Sequence, residues 1–106
     1  MANIEDFKKL EIKVAKILEV KDHPNADRLY MVTVDLGGEQ RQLVAGIKAS
    51  YKKEELIGKQ VAVVTNMDPA VLRGVESKGM ILAASDENGI VVLTTDKPVK
   101  LGSIVK

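Results

Sequence analysis

The chain contains no cysteine and no tryptophan, a single histidine, one phenylalanine and two tyrosines. Without cysteine there can be no disulfide, thiolate metal site or thiol nucleophile, a usage that fits a cytoplasmic protein. The lone histidine, His23, is followed by Pro24, a setting typical of a turn residue rather than a catalytic base. No second metal-ligating residue stands at a useful spacing from it, and no zinc signature occurs. No cofactor is therefore expected. No apolar run approaches the 18 or so residues that a membrane span needs, so no membrane partner is expected. The opening residues, Met1 to Asp6, are polar and acidic rather than the apolar core of a secretory signal. Linkers, repeats and low-complexity stretches are also missing.

What is present describes a small folded unit. The chain has 106 residues, 45% hydrophobic and 29% charged, with a net charge of +1. A chain this short buries about two thirds of its unfolded surface, and a dimer interface would add to that. The charge is nearly balanced along the chain. Residues 1–53 hold ten Lys and Arg against eight Asp and Glu, and residues 54–106 hold six against seven. Any basic patch must therefore be assembled by folding, not carried on a tail.

The periodicity predicts mostly strands. Asn3 is placed to cap a short helical turn over 4–10. Residues 11–20 alternate, with Ile12, Val14, Leu18 and Val20 expected on one face and Lys16 interrupting the pattern. A loop over His23–Asp27 leads to a second strand over 29–36. Gly37-Gly38 then signals a hairpin to a third strand over 39–45. Residues 52–57 form a short helix ended by Gly58. Residues 60–66, nearly all apolar, form a buried fourth strand. Asp68-Pro69 begins a turn, with one helical turn expected over 70–72. A fifth strand follows over 79–85, and Asp86 to Gly89 turns the chain into a further strand over 90–94. The regular apolar residues Val99, Leu101 and Ile104 argue for an ordered tail.

The most informative segment is Arg73-Gly-Val-Glu-Ser-Lys-Gly-Met-Ile-Leu-Ala-Ala84. It sets four hydrogen-bonding side chains around two glycines and runs directly into an apolar strand. Loops of this kind, pinned against a buried strand, hold binding surfaces rigid. Ser77 has no histidine nearby in sequence, and its surroundings are not a nucleophile elbow. The glycines do not spell a phosphate loop, because a strand follows them instead of a helix. No enzyme activity is read in the chain by itself. The cationic candidates for phosphate contact are Arg28, Arg41, Lys48, Lys52, Lys53, Arg73 and Lys78. Asn66 ends the fourth strand, where its amide can reach a ligand or cap the Asp68-Pro69 turn. The spacing leaves both open.

Taken in order, five blocks resemble the tRNA-binding domain of the oligonucleotide-binding type. They are Asp6–Leu18, His23–Tyr30, Leu43–Gly46, Val61–Pro69 and Arg73–Ala84. This domain occurs at the C-terminus of methionyl-tRNA synthetases, as a separate synthetase β chain, in stand-alone tRNA-binding proteins and in cytokine precursors. The resemblance spans residues 4–104. It implies an all-β fold: a five-stranded oligonucleotide-binding barrel with a short helix between strands three and four. It places one domain over 1–106, with the barrel over about 8–85 and a C-terminal extension over 86–106 used in dimerisation. It implies tRNA as partner, a homodimer, and a methionyl-tRNA synthetase catalytic chain alongside. A starting Met and a full set of elements favour a separate chain. The implied tRNA-binding residues are Arg28, Arg41, Asn66, Arg73, Ser77, Lys78 and Met80, the Ser-x-Gly-Met block lying on the tRNA face. The shortage of aromatic residues disfavours stacking of bases on aromatic rings and points to recognition of folded RNA by shape.

The chain departs from the family after Asn66. Where relatives carry basic residues, it reads Met-Asp-Pro-Ala-Val-Leu-Arg73, which removes charge from that loop. A second group on the same fold, homodimeric export chaperones that bind peptides, resembles the chain around Phe7 and over Tyr51–Gly58. The intact Ser77-Lys-Gly-Met80 favours the tRNA-binding branch.

Overall fold

A computed structural model describes residues 1–106. Its centre is a curled five-stranded antiparallel sheet in the order β3-β2-β1-β4-β7. The strands are β1 (Ile12–Asp22), β2 (Tyr30–Asp35), β3 (Gln40–Ala45), β4 (Gln60–Val64) and β7 (Met80–Ile81). Two hairpins are appended, β5 (Ala70–Leu72) with β6 (Val75–Ser77), and β8 (Ala83–Asp86) with β9 (Gly89–Val92). A short helix α1 (Ile4–Lys8) precedes the sheet, and α2 (Lys53–Leu56) lies between β3 and β4. This is the oligonucleotide-binding arrangement, with the helix where that fold places it.

β1 organises the sheet by changing partners midway. Residues 12–16 pair with β4 and residues 16–22 with β2. The switch is accompanied by a bulge at Leu18, where the pairing with β2 slips between Ile17 and Glu19. A bulge bends its strand and raises the local twist, which a curled sheet needs. It also shifts the side-chain phase by one. The core therefore takes Ala15, Ile17 and Val20 from β1, while Leu18 is exposed. The expectation that Ile12, Val14, Leu18 and Val20 share one face is corrected on this ground. Ile12 and Val14 are buried, but outside the main core cluster.

The core is aliphatic. Ile17, Val32, Val34, Leu43, Leu56, Val61 and Val63 are fully buried. Leu56 brings α2 into this core. Backbone bonds from Gly58 N–H to Ile17 O (2.8 Å) and from Ile17 N–H to Lys59 O (2.9 Å) fix the helix exit against β1. Tyr30 donates its hydroxyl to Tyr51 O at 2.7 Å, and Tyr51 Oη accepts from Val92 N–H at 3.0 Å. The two tyrosines thus link β2, the α2 approach and β9.

Two further expectations are corrected. Residues 70–72 form strand β5, not a helical turn. Arg73 and Gly74 both have positive φ (53° and 88°), the pattern of a type I′ hairpin turn, and the turn holds β5 and β6 in extended pairing. The run 79–85 is not one strand. It pairs with β4 through Met80 and Ile81, then leaves that sheet to form the β8–β9 hairpin. The residues after β9 fold back onto the sheet. Gln60 Oε1 accepts Val99 N–H at 3.0 Å, and Gly102 to Val105 exchange backbone bonds with Ile12 and Val14 along β1.

Candidate nucleic-acid interface

The site is built at one end of the barrel, where the β1–β2 loop (residues 23–29) meets the β5–β6 hairpin. His23 is buried. Its Nε2 lies 2.9 Å from Leu72 O, and its Nδ1 accepts Asn25 N–H at 3.0 Å. With Nδ1 accepting, Nε2 must carry the hydrogen and donate to the carbonyl. Asn25 Nδ2 donates to Arg73 O at 3.0 Å. Two side chains of one loop therefore hold the hairpin turn by its backbone. The sequence marks His23 as a turn residue. Its role in gripping the hairpin was not legible, because the partner lies 49 residues away.

The clasped loops present two arginines. Arg28 and Arg73 are exposed, and neither belongs to an ion pair. The other cationic candidates are more committed. Lys48 and Lys53 both contact Asp22 at 3.2 Å. Their hydrogen bonds, led by that of Lys48, hold the Asp22 carboxyl below the usual aspartate value. Lys52 is exposed and unpaired at the start of α2.

A second group lies along the seam between β3 and β7. Arg41 is mostly enclosed. Its Nη1 donates to Thr65 O (2.6 Å) and Lys78 O (3.3 Å), and its Nε donates to Glu39 (3.1 Å). Lys78 bonds Gln42 O through its backbone N–H (3.0 Å), while its side chain stays more than half exposed, with Nζ 3.8 Å from Glu76. Arg41 and Lys78 share a shallow depression with Gln40, Thr65 and Pro69.

Ser77 does not face solvent. It is 4% exposed, and its Oγ accepts Val44 N–H (2.9 Å) and donates to Gly79 O (2.8 Å). It joins β3 to the segment that closes the barrel. Gly79 follows at φ 140°, where an added Cβ would lie 2.9 Å from Val64 O, so only glycine passes between the strands without displacement. Asn66, exposed just past β4, does not cap the Asp68-Pro69 turn. Its Oδ1 accepts Glu11 N–H and its Nδ2 donates to Lys9 O, both at 2.7 Å, pinning the entry to β1. β4 ends beside the start of β1, and this brings the amide to backbone groups left unpaired there.

Met80 is about half exposed and lines an apolar groove of about 440 Å³. Met67, Ala70, Leu72, Ile81 and Ile90 complete its apolar wall. Met67 also reaches the depression of Arg41 and Lys78, so groove and cations adjoin. The sequence reading missed Met67 and Leu72. The alternation of Ala70 and Leu72 is the local signal for Leu72, and nothing local marks Met67.

Residues 12–104 match the family described as "Putative tRNA binding domain". A methionine–tRNA ligase of Pyrococcus horikoshii is 60% identical over 102 residues, which cover 96% of this chain and 14% of that protein. The chain therefore spans about a seventh of the length of such relatives. Among solved structures, a MetRS-related protein from Pyrococcus horikoshii superposes with a TM-score of 0.92 at 31% identity, over 100% of this chain and 98% of that one. The chaperone CsaA from Bacillus anthracis superposes with a TM-score of 0.92 at 26% identity, over 100% of this chain and 99% of that one. With almost its whole length matched, and with a barrel, loops and glycine-bounded closing segment of this kind, the chain belongs to the tRNA-binding domain family.

Proposed function

We propose that this chain binds folded tRNA by shape and phosphate contacts, as a subunit, appended part or companion of a methionine–tRNA ligase. The carrying observation is the clasp of His23 and Asn25 on the β5–β6 turn, which holds the exposed, unpaired Arg28 and Arg73 on two loops fastened together. On oligonucleotide-binding barrels these two loops frame the ligand face. Arginine forks on a rigid support suit phosphate oxygens. Lys78 adds an exposed cation at the seam. Arg41, Asn66 and Ser77 act by positioning, since their polar atoms are engaged within the protein. The mechanism is holding: it raises the local tRNA concentration at a catalytic partner and has no chemistry of its own.

A homodimer belongs to this reading. Ile4, Phe7 and Leu10 at the N-terminus, and Ile104 and Val105 on the tail that lies along β1, are exposed apolar residues. A second copy would cover such surface and double the phosphate contacts.

The test is a salt titration of binding to mixed folded tRNA, with unstructured RNA and duplex DNA as competitors. Preference for folded tRNA, weakening with salt, is the expected result. Absent or indiscriminate binding would overturn the reading. The apolar groove and the likeness to a chaperone favour one alternative, a peptide-binding module. Binding of extended apolar peptides without tRNA binding would establish it.

A further inference from the structure

We propose that the apolar groove beside Met80 receives one unstacked base of the bound RNA, with the flanking phosphates held by the neighbouring cations Arg73 and Lys78. This rests on the tRNA-binding reading above. The groove's volume of about 440 Å³ falls in the range of about 300–1,000 Å³ typical of small-ligand sites. Its walls are the side chains of Met67, Leu72, Met80 and Ile90, with no aromatic residue among them. Methionine thioethers are polarisable and make favourable contacts with aromatic rings, so two methionines can face a base where other binders use a tyrosine. Such contacts are tolerant of sequence, because every base has an apolar face.

Charge separates a nucleotide from an apolar peptide as the occupant. Leu72, on one wall, is followed directly by the free Arg73. Gly79, also in the lining, is preceded directly by Lys78. Neither cation lines the groove itself, but Met67 lines both the groove and the depression that holds Arg41 and Lys78, which brings cations beside the slot for the phosphates of a bound nucleotide. Inside, two polar groups stand ready for a base edge. Asp68 contributes an acceptor to the lining, and the backbone N–H of Gly46 has no partner within the chain. The Ser77 hydroxyl, also in the lining, is already spent on Val44 and Gly79.

The geometry makes a prediction that phosphate contacts do not. Met80→Ala removes a wall of the slot but no charge. It should lower affinity for mixed tRNA about tenfold while leaving the salt slope unchanged. Met80 is about half exposed, so thermal unfolding of the variant should match the parent. A second readout uses the intact chain, labelled at the methionine methyls. A base over Met67 and Met80 shifts both methyl signals upfield by its ring current. Upfield shifts with mixed tRNA, absent with a fully paired RNA duplex of equal charge, would support the proposal. Binding of tRNA with both methyls unmoved and Met80→Ala neutral would overturn it, leaving the tRNA-binding reading intact. Failure to bind tRNA at all would overturn both. Perturbation of the methyls by an apolar decapeptide but not by tRNA would assign the groove to peptide instead.

Discussion

The Ser77 hydroxyl sits 2.9 Å from the backbone nitrogen of Val44, across 33 residues of sequence, and this bond helps bring the two edges of the barrel together. Ser77 also donates to Gly79 O, which keeps the closing segment flat against β4 where its Cβ-free residue passes Val64. Removing the hydroxyl leaves a buried N–H without a partner. Ser77→Ala should therefore cost about 1–3 kcal/mol of folding stability. For a domain of this size that is a fall of roughly 5–15 °C in melting temperature, measurable by calorimetry. An unchanged melting temperature would show that the seam is held by other bonds.

Asn25 tests whether the loop clasp sets the hairpin. Its amide holds Arg73 O at the turn, and both groups are at the surface. Asn25→Ala should change global stability by no more than about 1 kcal/mol, the worth of an ordinary exposed hydrogen bond. The local effect should be larger, because opening of a small hairpin is governed by few contacts. Limited trypsin digestion reads this directly, since the turn offers Arg73. Cleavage after Arg73 should become several-fold faster in the variant, with the barrel itself still resistant. Equal cleavage rates would place the hairpin's rigidity in His23 alone.

What is legible in the sequence divides from what is not along one line. Features encoded by neighbouring residues were legible: the Asn3 cap with Asp6 at its helix, the Gly37-Gly38 hairpin, the short helix before Gly58 and the apolar β4. Features decided by distant pairing were not. The bulge at Leu18 shows in the alternation of β1 only as the interruption at Lys16, which does not say that the phase shifts or where. Residues 70–72 read as helix because nothing local says that residues 75–77 will pair with them. The site shows the same division. Arg28, Arg73 and Lys78 are exposed cations in the structure, while Ser77 is buried and Asn66, though exposed, bonds backbone groups that lie far away in sequence. Side chains that can both donate and accept are the hardest to place from sequence, since the fold supplies partners that sequence order conceals.

Asp22 offers a test of charge pairing with a defined pH sign. Lys48 and Lys53 hold its carboxyl below the usual aspartate value. The folded value lies below the unfolded one, so the stabilisation is present above the ordinary aspartate value of about 3.9 and is lost as pH falls through the folded value. The stability difference between the parent and Asp22→Asn should thus be flat across neutral pH and shrink below about pH 4. The pair is exposed, so added salt should shrink it as well. Urea unfolding midpoints at several pH values check this. A difference that grows on acidification would mean that Asp22 is not the lysines' partner.

The assignment of Arg73 and Lys78 to phosphate contact predicts a separation between binding and folding. Both side chains are exposed, and Lys78 keeps only a distant ion pair with Glu76. Arg73→Ala and Lys78→Ala should leave folding stability within about 0.5 kcal/mol of the parent, as surface changes do. Each should weaken tRNA binding and flatten the slope of log affinity against log salt by about one unit, one released counterion per lost contact. Arg73 has positive φ, so Arg73→Asn, which tolerates that conformation, separates the loss of charge from any strain in the turn. Val63→Ala is the contrasting case. Val63 is fully buried in the core, and truncation should cost on the order of 2 kcal/mol while leaving the salt slope of the folded protein untouched. If all these variants lost folding and binding together, the cations would belong to the structure of the barrel and not to its RNA face.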